Sequence, residues 1–173
     1  MLTIRPAEAQ DAAGIANVHV KTWRATYTGL LPASYLKTLT LESRSITWAR
    51  MLKNQDPDLV ILVSENDDGD IVGFGSGGSI RSVVPGHAQE ISALYVLPGY
   101  QRAGHGRRLF MATANRLAQR DGEGLAVWVL EGNPSAEFYK KLGGEVVSCR
   151  TIRIAGTDIE EIAFGWPEIP SYG

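Results

Sequence analysis

The sequence predicts a single mixed α/β domain, and three observations predict it. At about 150 residues per domain, 173 residues make one, and no repeat, low-complexity tract or Pro/Ser-rich linker divides residues 1–173. Short apolar and β-branched runs alternate with segments whose apolar positions recur every three or four residues, the two periods of strand and helix. One strand-like run is followed by a glycine-containing turn, an amphipathic segment and another strand-like run, the order of a right-handed parallel crossover. The expected architecture is a mixed central β-sheet flanked by helices.

Each element has its own local signal. Residues 2–5 read as a short strand stopped by Pro6. From 11 to about 27, Ala12, Ile15, Val18, Thr22 and Ala25 recur at helical spacing. Gly29 and Pro32 interrupt, and 34–39 and 41–53 read as two more helices, with Thr40 as N-cap of the second. Residues 58–64 and 71–79 are strand-like runs separated by Asn66-Asp67-Asp68-Gly69-Asp70, a hairpin signal. After a turn at Val84-Pro85-Gly86, residues 90–97 form a third strand, stopped by Pro98-Gly99. An amphipathic helix over 106–120 and a buried-type strand over 125–130 follow. A short helix over 134–142 is opened by Asn133 and closed by Gly143-Gly144. Residues 145–154 and 158–166 make a second hairpin.

Composition excludes several function classes. The chain is 44% hydrophobic and 21% charged, as in ordinary globular proteins. Seventeen basic and 19 acidic residues give a net charge of −2, no general field for gripping a nucleic acid. One cysteine, Cys149, cannot form an intrachain disulfide, and with three histidines it leaves little for a structural zinc site, so no metal is expected. The start MLTIRPAEAQ lacks a basic region followed by an apolar stretch. The apolar runs are far shorter than the roughly 20 residues of a membrane helix. A cytoplasmic protein without a membrane partner is the expectation.

The most informative stretch is Gln101-Arg102-Ala103-Gly104-His105-Gly106, between a strand and a helix. A helix N-terminus leaves backbone N–H groups unpartnered and carries about half a positive charge. Small residues at 103, 104 and 106 let those amides approach an anion, and Arg102, Arg107 and Arg108 add positive charge around them. Capping glycines are common, so phosphate binding and simple capping both remain open for the loop alone. A Walker A loop would need Lys-Ser or Lys-Thr where Arg107-Arg108 stands. A dinucleotide fingerprint would need glycine where Leu109 stands.

The run ALYVLPGYQRAGHGRRLF resembles the acetyl-CoA-binding segment of the GNAT (Gcn5-related) N-acetyltransferases. Asn133-Pro134-Ser135-Ala136-Glu137-Phe138-Tyr139-Lys140-Lys141-Leu142-Gly143 is similar to that family's second signature. The resemblance covers nearly the whole chain in element order. It implies a GNAT-like acyl-CoA transferase fold whose two parallel strands, here 90–97 and 125–130, splay apart to admit acetyl-CoA as cosubstrate, without a metal. It places the pantetheine arm along Leu94, Tyr95 and Val96, and the pyrophosphate on the amides of Gln101, Arg102, Ala103, Gly104, His105, Gly106 and Arg107. Asn133 and Ser135 stand beside the arm, with capping of the next helix as the alternative for Asn133, and Tyr139 lies near the sulfur.

Amine acetylation needs a neutral nucleophile, a polarised carbonyl and a protonated leaving thiolate. An alkyl amine of pKa near 10 is only about one-thousandth neutral at pH 7, so a base is useful. Glu90 is the candidate base, and a solvent-exposed strand-end carboxylate is the alternative. The Leu94 amide is the candidate carbonyl polariser, and the Tyr139 phenol the candidate general acid. Trp23 and Tyr27, four apart on one helical face, are candidates for the acceptor pocket, with core packing as the alternative. His87 is a further candidate acceptor contact or a solvated loop residue. His19 reads as packing, His105 as facing solvent and Cys149 as inert core. The segment TWRATYTGLLPASYL resembles a bacterial subgroup some of whose members acetylate polyamines, yet no acidic cluster stands there. The expected acceptor is a small primary amine. A protein N-terminus, a lysine or a polyamine are alternatives, as is a non-catalytic CoA-binding module. A homodimer remains open.

Overall fold

The computed structural model describes residues 2–171. Its framework is one seven-stranded sheet in the order β1-β2-β3-β4-β5-β7-β6. The strands are β1 Thr3–Pro6, β2 Val60–Glu65, β3 Ile71–Ser79, β4 Gln89–Val96, β5 Leu125–Leu130, β6 Glu145–Ile154 and β7 Thr157–Trp166. Only β4 and β5 pair in parallel; every other neighbouring pair is antiparallel. The helices are α1 Ala12–Tyr27, α2 Ala33–Thr38, α3 Leu41–Asn54, α4 His105–Ala118 and α5 Ser135–Lys141.

Strand alternation sorts the core into two faces. On one, Ile15, Ala16 and Val18 of α1 and Trp48 of α3 pack on Val63 and Phe74. On the other, Phe110 and Leu117 of α4 and Tyr139 of α5 pack on Ile91, Val127 and Phe164. Phe74, Phe110 and Phe164 are fully buried, each worth about 2 kcal/mol relative to exposure. α4 lies close to the sheet because β3 presents glycines to it. A Cβ at Gly75 would stand 2.5 Å from Thr113 Oγ1, and one at Gly77 3.0 Å from Leu117 Cδ1.

Sequence boundaries and observed ones differ by two residues or fewer, for physical reasons. Thr40 caps α3 as expected: its Oγ1 accepts the Ser43 N–H at 3.1 Å. α1 starts at Ala12 because Asp11 closes a 3-10 turn, its carboxylate taking two Arg5 nitrogens and the Glu8 N–H. Within α1 the expected positions Ala12, Ile15, Val18 and Thr22 are buried, and Ala25 is exposed. β2 starts at Val60 because the Asp58 carboxylate leaves the strand to bind Ser79 and Arg120. Among the described residues, no helix is long and apolar enough to cross a membrane.

Candidate active site

β4 and β5 share only two residue pairs, Gln89 with Leu125 and Glu90 with Ala126, and then part. The cause lies in β4. Its register with β3 shifts so that Ser92 stands unpaired between Ile91, opposite Gly77, and Ala93, opposite Ser76. A bulge of this kind bends the strand that carries it. Ser92 Oγ, 3.2 Å from Ser76 Oγ, holds the bend. Leu97 N–H donates to Val72 C=O at 2.9 Å, on the β3 side. Alternation along the strand therefore turns the backbone groups of Leu94 and Val96 the other way, into the gap.

The gap widens into a cleft of about 620 Å³, including space open to solvent. Thr22, Thr26 and Tyr27 wall it on the α1 face, Ser135 and Tyr139 on the α5 face. Residues 91–96 and 127–129 form its sides. Tyr139 is 6% exposed, its ring 6.0 Å from that of Phe164 and 6.2 Å from that of Phe110. Burial, reinforced by the Tyr27 phenol, pushes its own phenol well above the ordinary tyrosine range. It stays protonated, a hydrogen-bond donor at the cleft.

Beyond β4 the chain turns into α4. Arg102 at φ +63° and Gly104 at φ +79° reverse it, and Gln101 Nε2 donates to Val96 C=O at 2.8 Å, folding the loop onto the strand end. The Arg108 N–H donates to the Gly104 C=O at 3.1 Å, so the N–H groups of His105 and Gly106 point out of the helix end. A Cβ at Gly104 would meet nothing within 4 Å, so approach to these amides is open. His105, expected in solvent, is instead half-buried with an enclosed Nδ1 that makes no hydrogen bond. Open amides and an orphaned imidazole nitrogen at the positive end of a helix fit a diphosphate.

The other candidates divide. Leu94, Tyr95, Val96, Gln101, Ser135, Tyr27 and Asn133 all line the cleft with Tyr139. Asn133 works within the protein: Oδ1 accepts the Ser135 N–H at 2.9 Å, opening α5, and Nδ2 donates to Tyr27 Oη at 3.2 Å. Trp23 stands behind Tyr27, ring centres 4.5 Å apart, so the two share a face as spaced. Burial raises the Tyr27 phenol, which also meets that of Tyr95, itself raised strongly by burial. Arg102 and Ala103 are exposed on the loop.

Glu90 is not a solvent-exposed strand end. It is 4% exposed, and its Oε1 takes both the Nε of Arg81 and the Arg81 backbone N–H, the latter at 3.3 Å. It stands at the last β4–β5 pair, just short of the gap, and is not among the lining side chains. His87 is removed from the cleft. It precedes β4 at the paired end, Nδ1 lies 2.9 Å from Pro85 C=O, and Nε2 abuts Gly165. Cys149, expected in the core, is exposed on β6 and lines no part of the cleft. His19 packs as expected: Nδ1 accepts the Trp48 indole N–H at 3.1 Å, and burial, then Arg44, lowers its pKa to about 4.

Comparison with known proteins agrees with this geometry. Residues 21–144 match the family model described as the acetyltransferase (GNAT) family. An uncharacterized N-acetyltransferase, YuaI of Bacillus subtilis (strain 168), is 37% identical over 170 residues, spanning 98% of this chain and 95% of that protein. The chain belongs to the GNAT acetyltransferase family. It is an acetyl-CoA-dependent N-acetyltransferase. This GNAT enzyme also shares its fold with PaiA N-acetyltransferase of Thermoplasma acidophilum, solved with coenzyme A. The TM-score is 0.68 at 20% identity, over 94% of this chain and 98% of that one. yncA of Salmonella typhimurium, solved with acetyl-CoA, superposes with a TM-score of 0.70 at 22% identity, over 100% and 96%. In this GNAT chain the sequence reading missed Ser92, Thr22, Thr26 and Trp128 as parts of the site.

Proposed function

We propose that the protein transfers the acetyl group of acetyl-CoA directly to the primary amine of a small molecule, both substrates bound at once. The observation that carries this reading is the parting of β4 from β5 beside an open amide cradle, with a protonated phenol in the same cleft. The relatives solved with coenzyme A or acetyl-CoA support the donor.

Acetyl-CoA supplies the acetyl group as a thioester. Leu94 and Val96 offer backbone groups to an extended arm, as an edge strand does to an added one. The amides at the start of α4 hold the diphosphate. The Leu94 N–H donates to the carbonyl oxygen, stabilising the charge that grows there when the amine attacks. The amine loses its proton to solvent reaching Glu90, the nearest carboxylate along β4. The Tyr139 hydroxyl donates to the departing thiolate. A covalent acetyl-cysteine step has no support, because Cys149 is outside the cleft.

Initial rates over both substrates, read by thiol release, test the reading. Intersecting double-reciprocal lines and thiol release that needs an amine are expected. Parallel lines with acetylated protein, or CoA binding without turnover on any amine, would overturn it.

A further inference from the structure

Trp128, which lines the cleft, carries one guanidinium group on its ring and bonds through its indole to the residue after a second arginine, and the chemistry above uses neither arginine. On one side its indole N–H donates to Ser82 Oγ at 2.9 Å, and the neighbouring Arg81 binds Glu90 through Nε. On the other, the Arg150 guanidinium carbon lies 4.0 Å over the centre of the Trp128 ring, and its Nε donates to Glu161 Oε2 at 2.8 Å. In each pair the carboxylate is the inner member. The Glu90 and Glu161 side chains are 5% and 12% exposed, those of Arg81 and Arg150 76% and 39%. Each Nε is committed inward, and Nη1 and Nη2 make no hydrogen bond to any described residue. A guanidinium held through Nε presents two outward N–H donors in the fork geometry that matches a carboxylate.

Charge on the cleft points the same way. None of the side chains lining it is acidic, and Glu90 and Glu161 are already neutralised. A polycationic acceptor finds no free anion there. An acceptor with a negative end meets a lining ring, Trp128, on which one fork is stacked, and a second fork is held on Glu90, at the last β4–β5 pair before the gap.

We infer that the acceptor is a zwitterion of amino-acid type, its carboxylate held by Arg150 with Arg81 on the far flank of Trp128, and its amine in the cleft. This rests on the proposed amine transfer and names its substrate class. Arg150 is the principal fork because the Trp128 face fixes its plane. Nothing covalent is added to the reaction.

Matched sets test it: free α-amino acids, their primary amides and the corresponding decarboxylated amines, with acetyl-CoA turnover read by thiol release. The expected result is a kcat/KM at least tenfold higher for the acid than for its amide. The amide's amine is the less basic of the two, so amine basicity cannot produce that order. In Arg150→Gln the acid-to-amide ratio should fall to about one, with partial recovery in Arg150→Lys and a smaller fall in Arg81→Gln. Equal use of acids, amides and simple amines by the parent protein would overturn the carboxylate site and leave amine transfer standing. A ratio unchanged in a folded Arg150→Gln protein would do the same. Should that variant not fold, the parent panel and Arg81→Gln decide alone. Thiol release with no amine of any kind would instead sink the transfer reading, and this inference with it.

Discussion

The side of the cleft proposed for the acetyl donor is built from backbone, the side proposed for the acceptor from side chains. The groups on the donor side are the N–H and C=O of Leu94, the N–H of Val96 and the amides that open α4, all within residues 94–106. On the other side Tyr27 of α1 and Trp128 of β5 line the cleft, with Ser82 of the β3–β4 connection bonded to the Trp128 indole and Arg150 of β6 over its ring. In the proposed reaction, backbone groups would meet what every turnover shares, a thioester arm and a diphosphate. Side chains converging from separate elements recognise what differs. Under that proposal cosubstrate binding falls to a strand bend and a helix end, and specificity to packing.

Breaking the donor side should have the largest effect. Gly104→Glu places a carboxylate among amides that await an anion, and several charge-assisted hydrogen bonds are lost together. CoA affinity measured by calorimetry should fall about a thousandfold. The fold should survive, since a Cβ there meets nothing within 4 Å. Gly104→Asn, whose side chain tolerates the left-handed region at φ +79°, should lose far less and so separates charge from strain. Equal affinity in Gly104→Glu and the parent would remove the cradle. Tyr139→Phe keeps the ring packing against Phe164 and removes only the hydroxyl. kcat should drop about a hundredfold while CoA affinity stays within about twofold. A matched loss of both would make Tyr139 a packing residue.

The same division explains what could be read from the chain. Helices, strands, the Thr40 cap and the 101–106 loop announce themselves through local spacing, and backbone sites are local, so the donor side was legible. Ser92 was legible in principle. Ile91 and Leu94 face α4 together although three residues apart, and strand alternation would separate them by two or four. The burial of Glu90 was not legible, because it depends on Arg81 folding across a nine-residue connection. His87 looked close to the chemistry because it is close to Glu90 in sequence, yet the strand carries the cleft away from it. Trp128 was hidden in a run that reads as uniformly buried, Val127-Trp128-Val129, yet it is only partly buried and lines the cleft. Acceptor-side residues are non-local in this way throughout.

Glu90 tests where the two sides meet. If it relays the amine's proton through solvent, Glu90→Gln should lower kcat/KM about tenfold at pH 7, and the deficit should shrink as pH approaches the amine's own pKa, where neutral amine is abundant. A deficit constant with pH would mean that the carboxylate serves only to hold Arg81. The rate profile from pH 7 to 10 decides.

The remaining effect is on stability, not turnover, and belongs to the region where α1 packs on the sheet. His19 titrates near 4 in the folded protein against 6.5 in the unfolded chain, because burial disfavours its charged form and Arg44 adds repulsion. The unfolded state therefore binds the extra proton between these values. Stability contributed by neutral His19 is complete above pH 6.5 and is lost as pH falls toward 4, by about 1 kcal/mol at pH 5.5 and about 3 kcal/mol in all. Asp11, held below its ordinary 3.8 by Arg5 despite its burial, gives way only in more acid solution, so the windows separate. Urea unfolding between pH 7 and 4.5 should show this slope, and His19→Gln, which can still accept the Trp48 N–H, should flatten it. An equal slope in the two proteins would place the acid sensitivity elsewhere, and the aromatic packing beneath the acceptor wall would then not depend on a neutral imidazole.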